Sequence, residues 1–163
     1  MPCIVVGTAP QLIHSKIIGG AVHTTLRADM SGESLQEKIE GLAESDGRYN
    51  RDAYIFVYDA LQYTVEKLGK TTLPKEKRHI SGRDLVLGIS EYSAEQFGPL
   101  TCSVFFHWGI KQTRDFGEIV FNLIEANLMS KTEDDQIDDF VDVYDFAEEF
   151  DWAKRKADLK RLP

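Results

Sequence analysis

Apolar residues recur at three- and four-residue intervals through most of this chain, the spacing that lines one face of an α-helix. Leu35, Ile39, Leu42 and Ala43 form a first, short stripe. Ser34 is placed to cap it, with Glu37 in the capping-box position. After a turn at Asp46 and Gly47, the residues Ala53, Phe56, Val57, Ala60, Leu61, Val65 and Leu68 predict a longer core helix closed at Gly69. Tyr54, Tyr58 and Tyr63 lie along it, and rings with a polar tip belong at the edge of a core. Lys70 to His79 holds Pro74 among basic side chains and reads as an exposed loop. The next helix is signed at both ends. Ser81 opens it, Leu85, Ile89, Tyr92 and Phe97 point inward, and Gly98-Pro99 stops it.

Residues 99–129 organise the rest. Leu100, Val104, Phe105 and Trp108 make a short helical stripe, and Gly109 can take the left-handed conformation that closes it. From Asp115 onward, Phe116, Ile119, Val120, Leu123, Ile124 and Leu128 mark one buried face of a second helix. Thr113 is placed as its N-cap, and Asp115 with Glu118 gives a carboxylate version of the capping box. A short helix, a glycine turn and a longer helix make a helix-turn-helix unit. Phe140 to Tyr144 alternates as a strand would and can fold back as a wing, after which Asp145 and Glu148 open a short helix. The expected fold is therefore mainly α: a helical domain with a helix-turn-helix, winged-helix-like core and a short β wing. It occupies residues 30–152, between an N-terminal arm over 1–29 and a basic C-terminal tail over 153–163. The arm carries a single acidic residue, Asp29, and Pro10 and Gly19-Gly20 interrupt its apolar runs, so a poorly ordered segment is expected. Met30 offers an alternative translation start.

Hydrophobic residues at 42% and charged residues at 28% are globular values. No apolar run reaches the ~18 residues of a membrane span, and no basic-then-apolar leader is present, so the sequence reads as a cytoplasmic protein without a membrane partner. Cys3 and Cys102 show no metal-ligand spacing, and Cys102 sits among apolar neighbours as a space-filling thiol. Residues 133–151 hold ten carboxylates and no basic side chain, followed at once by Lys154, Arg155, Lys156, Lys160 and Arg161. Such a run reads first as a solvated acidic face screened by the basic tail.

That charge pattern bears on function. A DNA-reading helix needs Lys and Arg for phosphate contacts, yet the helix after Gly109 carries Arg114 against Asp115, Glu118 and Glu125. Nucleic-acid binding is left to the basic loop 70–83 and the C-terminal tail as an alternative. An EF-hand counted from Asp134 fails where Asp139 replaces the glycine and Asp145 the bidentate glutamate. His14, His23, His79 and His107 have no paired ligand spacing. Nucleophile-elbow, P-loop and dinucleotide fingerprints are absent, and a general acid-base set of His107, Asp115 and Glu118 is explained by capping. The sequence therefore assigns no catalytic, cofactor or metal residue, and an enzyme of unrecognised type is kept as the other alternative. The reading it favours is a protein-interaction or regulatory module, contacting a partner protein through Lys111, Gln112, Thr113 and Arg114 at the turn and through Asp138 and Asp139 on the acidic wing.

Several runs also carry a resemblance: Phe56–Tyr63 (FVYDALQY), Arg78–Gly82 (RHISG), Gln96–Pro99 (QFGP), Trp108-Gly109, Thr113–Ile124 (TRDFGEIVFNLI), Leu128-Met129, Lys131-Thr132 and Val143–Phe146 (VYDF). Together they resemble an uncharacterised family of planctomycete and verrucomicrobial proteins over about residues 33–150. The resemblance implies no activity, substrate or site residue, and the first 29 residues have no counterpart in it.

Overall fold

A computed structural model describes residues 4–6, 34–74 and 78–159. The chain is mainly helical. Helix α1 (Leu35–Asp46) starts on the expected capping box, with the Glu37 amide donating to Ser34 Oγ at 3.2 Å and the Ser34 amide donating to Glu37 Oε2 at 2.7 Å. Helix α2 (Arg51–Lys67) is capped by Asn50 and runs through the centre, packed by α1, by α3 (Gly82–Phe97) and by α5 (Thr113–Glu125). Ala53, Tyr54, Val57, Ala60 and Leu61 on α2 are fully buried, and the helix has exposed residues only at its two ends, Asp52, Glu66 and Lys67.

Helix α3 begins at the Ser81 cap and ends at Gly98, as the sequence predicts. A 3-10 turn over Gly98–Leu100 leads into the short helix α4 (Thr101–His107). Helices α4 and α5 are joined by a turn at Gly109, and Phe105 of α4 meets Phe116 of α5 edge-on at 5.3 Å. Helix α5 ends earlier than its apolar stripe. Asn127 takes a positive φ of 58°, and the Leu128 amide turns back to the Leu123 carbonyl at 2.9 Å. Asparagine tolerates that left-handed conformation better than most side chains. Met129 is thereby released from the helix to begin strand β2 (Met129–Lys131), which pairs antiparallel with strand β1 (Ile4–Val6) in the register Ile4 to Lys131 and Val6 to Met129. The apolar run at the start of the chain thus supplies a strand, while the remainder of the expected arm lies outside the described residues.

The β wing expected over Phe140–Tyr144 is replaced by a 3-10 turn, Ile137–Phe140, and an irregular connection. Three features account for this correction. The Gln136 amide donates to Asp139 Oδ2 at 3.1 Å and starts the turn, while Asp142 breaks the extended run with a φ of 50°. Phe140 buries its ring where Gly82 and Gly117 leave room, since a Cβ on either glycine would sit under 3 Å from that ring. Packing the ring outweighs strand pairing, because β2 has already found its partner in β1. Helix α6 (Phe146–Glu149) follows on Asp145, whose carboxylate accepts from Ala147 and Glu148 amides as the sequence suggests. The basic segment expected as a tail is helical over α7 (Trp152–Leu159), capped by Asp151. Residues 160–163 lie outside the described residues.

The α2–α3 crossing is the tightest constraint in this core. A Cβ added at Gly88 would stand 1.9 Å from Thr64 Oγ1, and that hydroxyl is tied to the Ala60 carbonyl at 2.7 Å. Gly88→Ala is therefore expected to destabilise the chain by about 1–3 kcal/mol, despite the better helix propensity of alanine. Urea denaturation checks this, and adding Thr64→Ala should recover at least half of the loss.

Candidate functional site

The turn between α4 and α5 is built from both sides. The Ile110 amide donates to the Phe105 carbonyl at 2.9 Å, and Ile110 itself is fully buried. Gly109 takes a φ of 87°, and a Cβ there would lie 2.5 Å from the Arg48 carbonyl oxygen. Beside it the Asn50 amide donates to the Trp108 carbonyl at 3.0 Å. Only glycine fits both demands. The turn is thus pinned to the α1–α2 connection.

Asp115 holds the start of α5, but one residue away from the expected arrangement. Its Oδ2 accepts from the Lys111 and Gln112 amides at 2.7 and 3.0 Å, so Gln112 occupies the cap position. Its Oδ1 accepts from Tyr49 Oη at 2.9 Å. Thr113, expected as the cap and as part of a contact patch, is instead buried, and its Oγ1 accepts from the Val143 amide at 3.3 Å. That bond brings the turn and the acidic segment together, as does Gly117 against Phe140 and Ile137. Of the candidate partner residues, Lys111, Gln112, Arg114 and Asp138 are exposed, and Asp139 is half-buried on the Gln136 amide.

A polar network continues from here into the helical core. Arg48 bridges Asp46 at 2.7 Å and Glu118 at 3.3 Å, and Glu118 also takes Arg114 at 3.3 Å. Tyr54, fully buried, donates to Asp46 Oδ2 at 2.9 Å and accepts from Asn122 Nδ2 at 3.0 Å. Burial works against ionisation of Asp46, but hydrogen bonds from Arg48 and Tyr54, with the Arg48 charge, hold its carboxyl below the usual range. Burial and the bond to Asp115 push the Tyr49 phenol up, so it stays a donor. Asp46, Asp115 and Glu118 are therefore committed to holding α1, α2 and α5 together. His107, which the sequence could combine with Asp115 and Glu118 only on paper, stands exposed at the end of α4. The structure gives this trio no shared site.

The remaining candidates are placed as follows. Cys102 is half-buried with its thiol toward the Phe146 carbonyl at 3.6 Å, and burial, then the Asp145 charge, raise the thiol above its ordinary value. It is a poor nucleophile. In the acidic run, Asp135 is buried and accepts from the Thr132 amide at 2.7 Å through Oδ2, whereas no hydrogen bond reaches Oδ1. Among the described residues, no three His, Cys, Asp or Glu side chains gather as a metal would need. In the basic loop, Lys70 donates to the His79 carbonyl and Arg78 to the Leu73 carbonyl at 2.6 Å. Along α5, Arg114 is the one cation and it is paired. An open groove of about 440 Å³ lies between α1 and Ala126, lined by Glu37, Lys38, Gly41, Leu42 and Ser45. Its carboxylate is occupied in capping α1.

On the other side of the turn, α4 shows an apolar outer face. Leu100 is 63% exposed and Phe106 55%, flanked by exposed Pro99, Ser103 and His107. Beneath them the half-buried Phe97 and Trp108 rings meet edge-on at 5.6 Å and pack on Phe56 at 5.5 and 5.4 Å. The sequence placed Leu100 on one stripe with Val104, Phe105 and Trp108 and left Phe106 off it; Phe105 is buried, whereas Leu100, which falls in the turn before this seven-residue helix, is exposed.

No family model, curated protein or solved structure matches the chain. Among the described residues, no helix is long and apolar enough to cross a membrane.

Two substitutions test this account. Asp115→Ala removes three acceptor interactions and strands the Tyr49 hydroxyl, so a loss of about 2–3 kcal/mol is expected in urea denaturation. Asp115→Asn, which keeps one carbonyl acceptor, should lose less. The second concerns Asp59, on α2, where burial pushes the carboxyl from 3.8 up to about 6. Because the folded form holds its proton more tightly, its stabilising effect is complete below pH 3.8 and lost as pH rises through about 6. Asp59→Asn should accordingly stabilise the chain by about 1–2 kcal/mol near neutral pH and by nothing at about pH 4, compared by denaturation at the two pH values.

Proposed function

We propose that this chain is a non-enzymatic protein-docking module of the cytoplasm. Its contact face would be the outer side of α4 together with the adjoining turn at Lys111, Gln112 and Arg114. The observation that carries the reading is the exposure of Phe106 on α4 and of Leu100 on the 3-10 turn that leads into it. Large apolar side chains exposed on one short stretch of chain mark a candidate protein contact, and their removal from water on docking is a source of affinity. The polar groups nearest the turn support the same reading, since Asp115 is taken up by Tyr49 and the Lys111 and Gln112 amides, and Glu118 by Arg48 and Arg114. On this reading the succession α3, α4 and α5 stands as a winged-helix-like core without its β wing, and folds of that outline without a basic reading helix serve other proteins as docking surfaces. That support is by analogy.

The test is affinity capture from the native host with the full chain as bait, beside a Leu100→Ser/Phe106→Ser double variant. A partner protein should be recovered by the first bait and reduced about 10-fold or more with the second. The variant's Tm should stay within about 2 °C, because exposed side chains contribute little to stability. Equal recovery by both baits overturns the proposal. So does a shift of generic duplex DNA at low salt that survives deletion of residues 153–163.

A further inference from the structure

Helix α7 is attached differently from every longer helix in the chain. None of its residues 152–156 is buried: Trp152 and Arg155 are half-buried, and Ala153, Lys154 and Lys156 are exposed. Among the described side chains it is held at two points. At the first, Trp152 lays its ring on the Gly98 turn, 3.6 Å from where a Cβ on that glycine would stand. At the second, Arg155 reaches inward. Its Nη2 donates to Ser90 Oγ and to Glu149 Oε1, both at 2.7 Å, its Nε donates to the Glu149 carbonyl at 2.8 Å, and its guanidinium lies 5.4 Å over the Phe150 ring. Ser90, buried on α3, in turn donates to the Glu149 carboxylate.

We propose that α7 is a detachable strap, closed in this structure, whose release uncovers Gly98 and Phe150 and enlarges the apolar face that begins at Leu100. Three physical points carry it. An eight-residue helix does not persist alone in water, so α7 exists while it is docked and unfolds when it is not. Over residues 152–156 its docking rests on one guanidinium and one indole and on no fully buried side chain, so opening of that stretch need not disturb the core. A boundary is also present, since Phe150 ends α6 and Asp151 starts α7 afresh by accepting from the Ala153 and Lys154 amides at 3.0 and 3.1 Å. The strap closes against the same Gly98–Leu100 turn that carries the exposed leucine, so its release widens a face already open at Leu100. That the uncovered surface serves docking rests on the function proposed above. That the strap detaches rests on the contacts of α7 alone.

Hydrogen exchange on the full chain tests the strap without any partner. Amides of residues 153–156 should exchange about 100-fold or more faster than those of residues 85–93 in α3, the signature of a unit that opens below the global unfolding free energy. Arg155→Ala should remove the remaining protection at 153–156, leave α2 and α5 unchanged, and raise the binding of an apolar fluorescent dye several-fold. Arg155→Lys, which keeps the charge and loses the planar fork, should fall between the two. Equal exchange of α7 and α3 in the unmodified chain overturns the proposal, and so does an Arg155→Ala chain in which α3 and α7 lose protection together. If the strap opens as described while the Leu100 and Phe106 variant recovers the same proteins as the unmodified bait, the docking reading alone fails.

Discussion

The ring of Phe105 is the contact on which the helical arrangement depends. It is fully buried and lies within 5.3–5.7 Å of Phe56 on α2, Phe116 on α5, Phe146 on α6 and Phe150 at the entrance to α7. Removing a buried phenylalanine costs on the order of 3–5 kcal/mol, a large share of the roughly 5–15 kcal/mol by which domains are stable. One side chain on a seven-residue helix thus ties three other helices and the C-terminal segment to a common point. The same helix must leave its opposite side to solvent, which is why Leu100 and Phe106 are found outside.

A second, polar constraint fixes how the helices meet. Burying Tyr54 and Tyr49 and half-burying Asp46, Asn122 and Asp115 is tolerable only because each finds a partner, and those partners lie on different elements. Apolar contacts tolerate sliding, whereas a tyrosine hydroxyl shared between Asp46 and Asn122 accepts one alignment of α1, α2 and α5. The carboxylates that looked most like chemistry in the sequence are spent on this alignment.

The helices and their ends were legible in the sequence because the signals are local. Ser34, Ser81, Gly98-Pro99 and Asp145 act where they stand. The wing was misplaced because the alternation over Phe140–Tyr144 is also what a single buried ring and a left-handed aspartate produce. The strand pair could not be assigned, since three-residue strands have no measurable period and their partner is distant. Thr113 was read as an exposed cap although its hydroxyl belongs to Val143, thirty residues on. The Arg155 clamp was invisible for the same reason, because nothing near Arg155 in the chain announces Ser90. The candidate patch counted Thr113 among its contact residues, whereas that side chain is buried between the turn and the acidic segment.

The pairing of Ile4–Val6 with Met129–Lys131 joins the first described stretch of the chain to a segment beyond α5. Contacts so far apart in sequence are slow to form, because the whole intervening loop must close before any bond rewards it. On a ribosome, where the chain emerges from its N-terminus, the first strand would wait until α1 through α5 had been made and its mate had cleared the exit tunnel. The two-stranded sheet is then the closing stitch of assembly rather than its seed, and the helices must find one another without it.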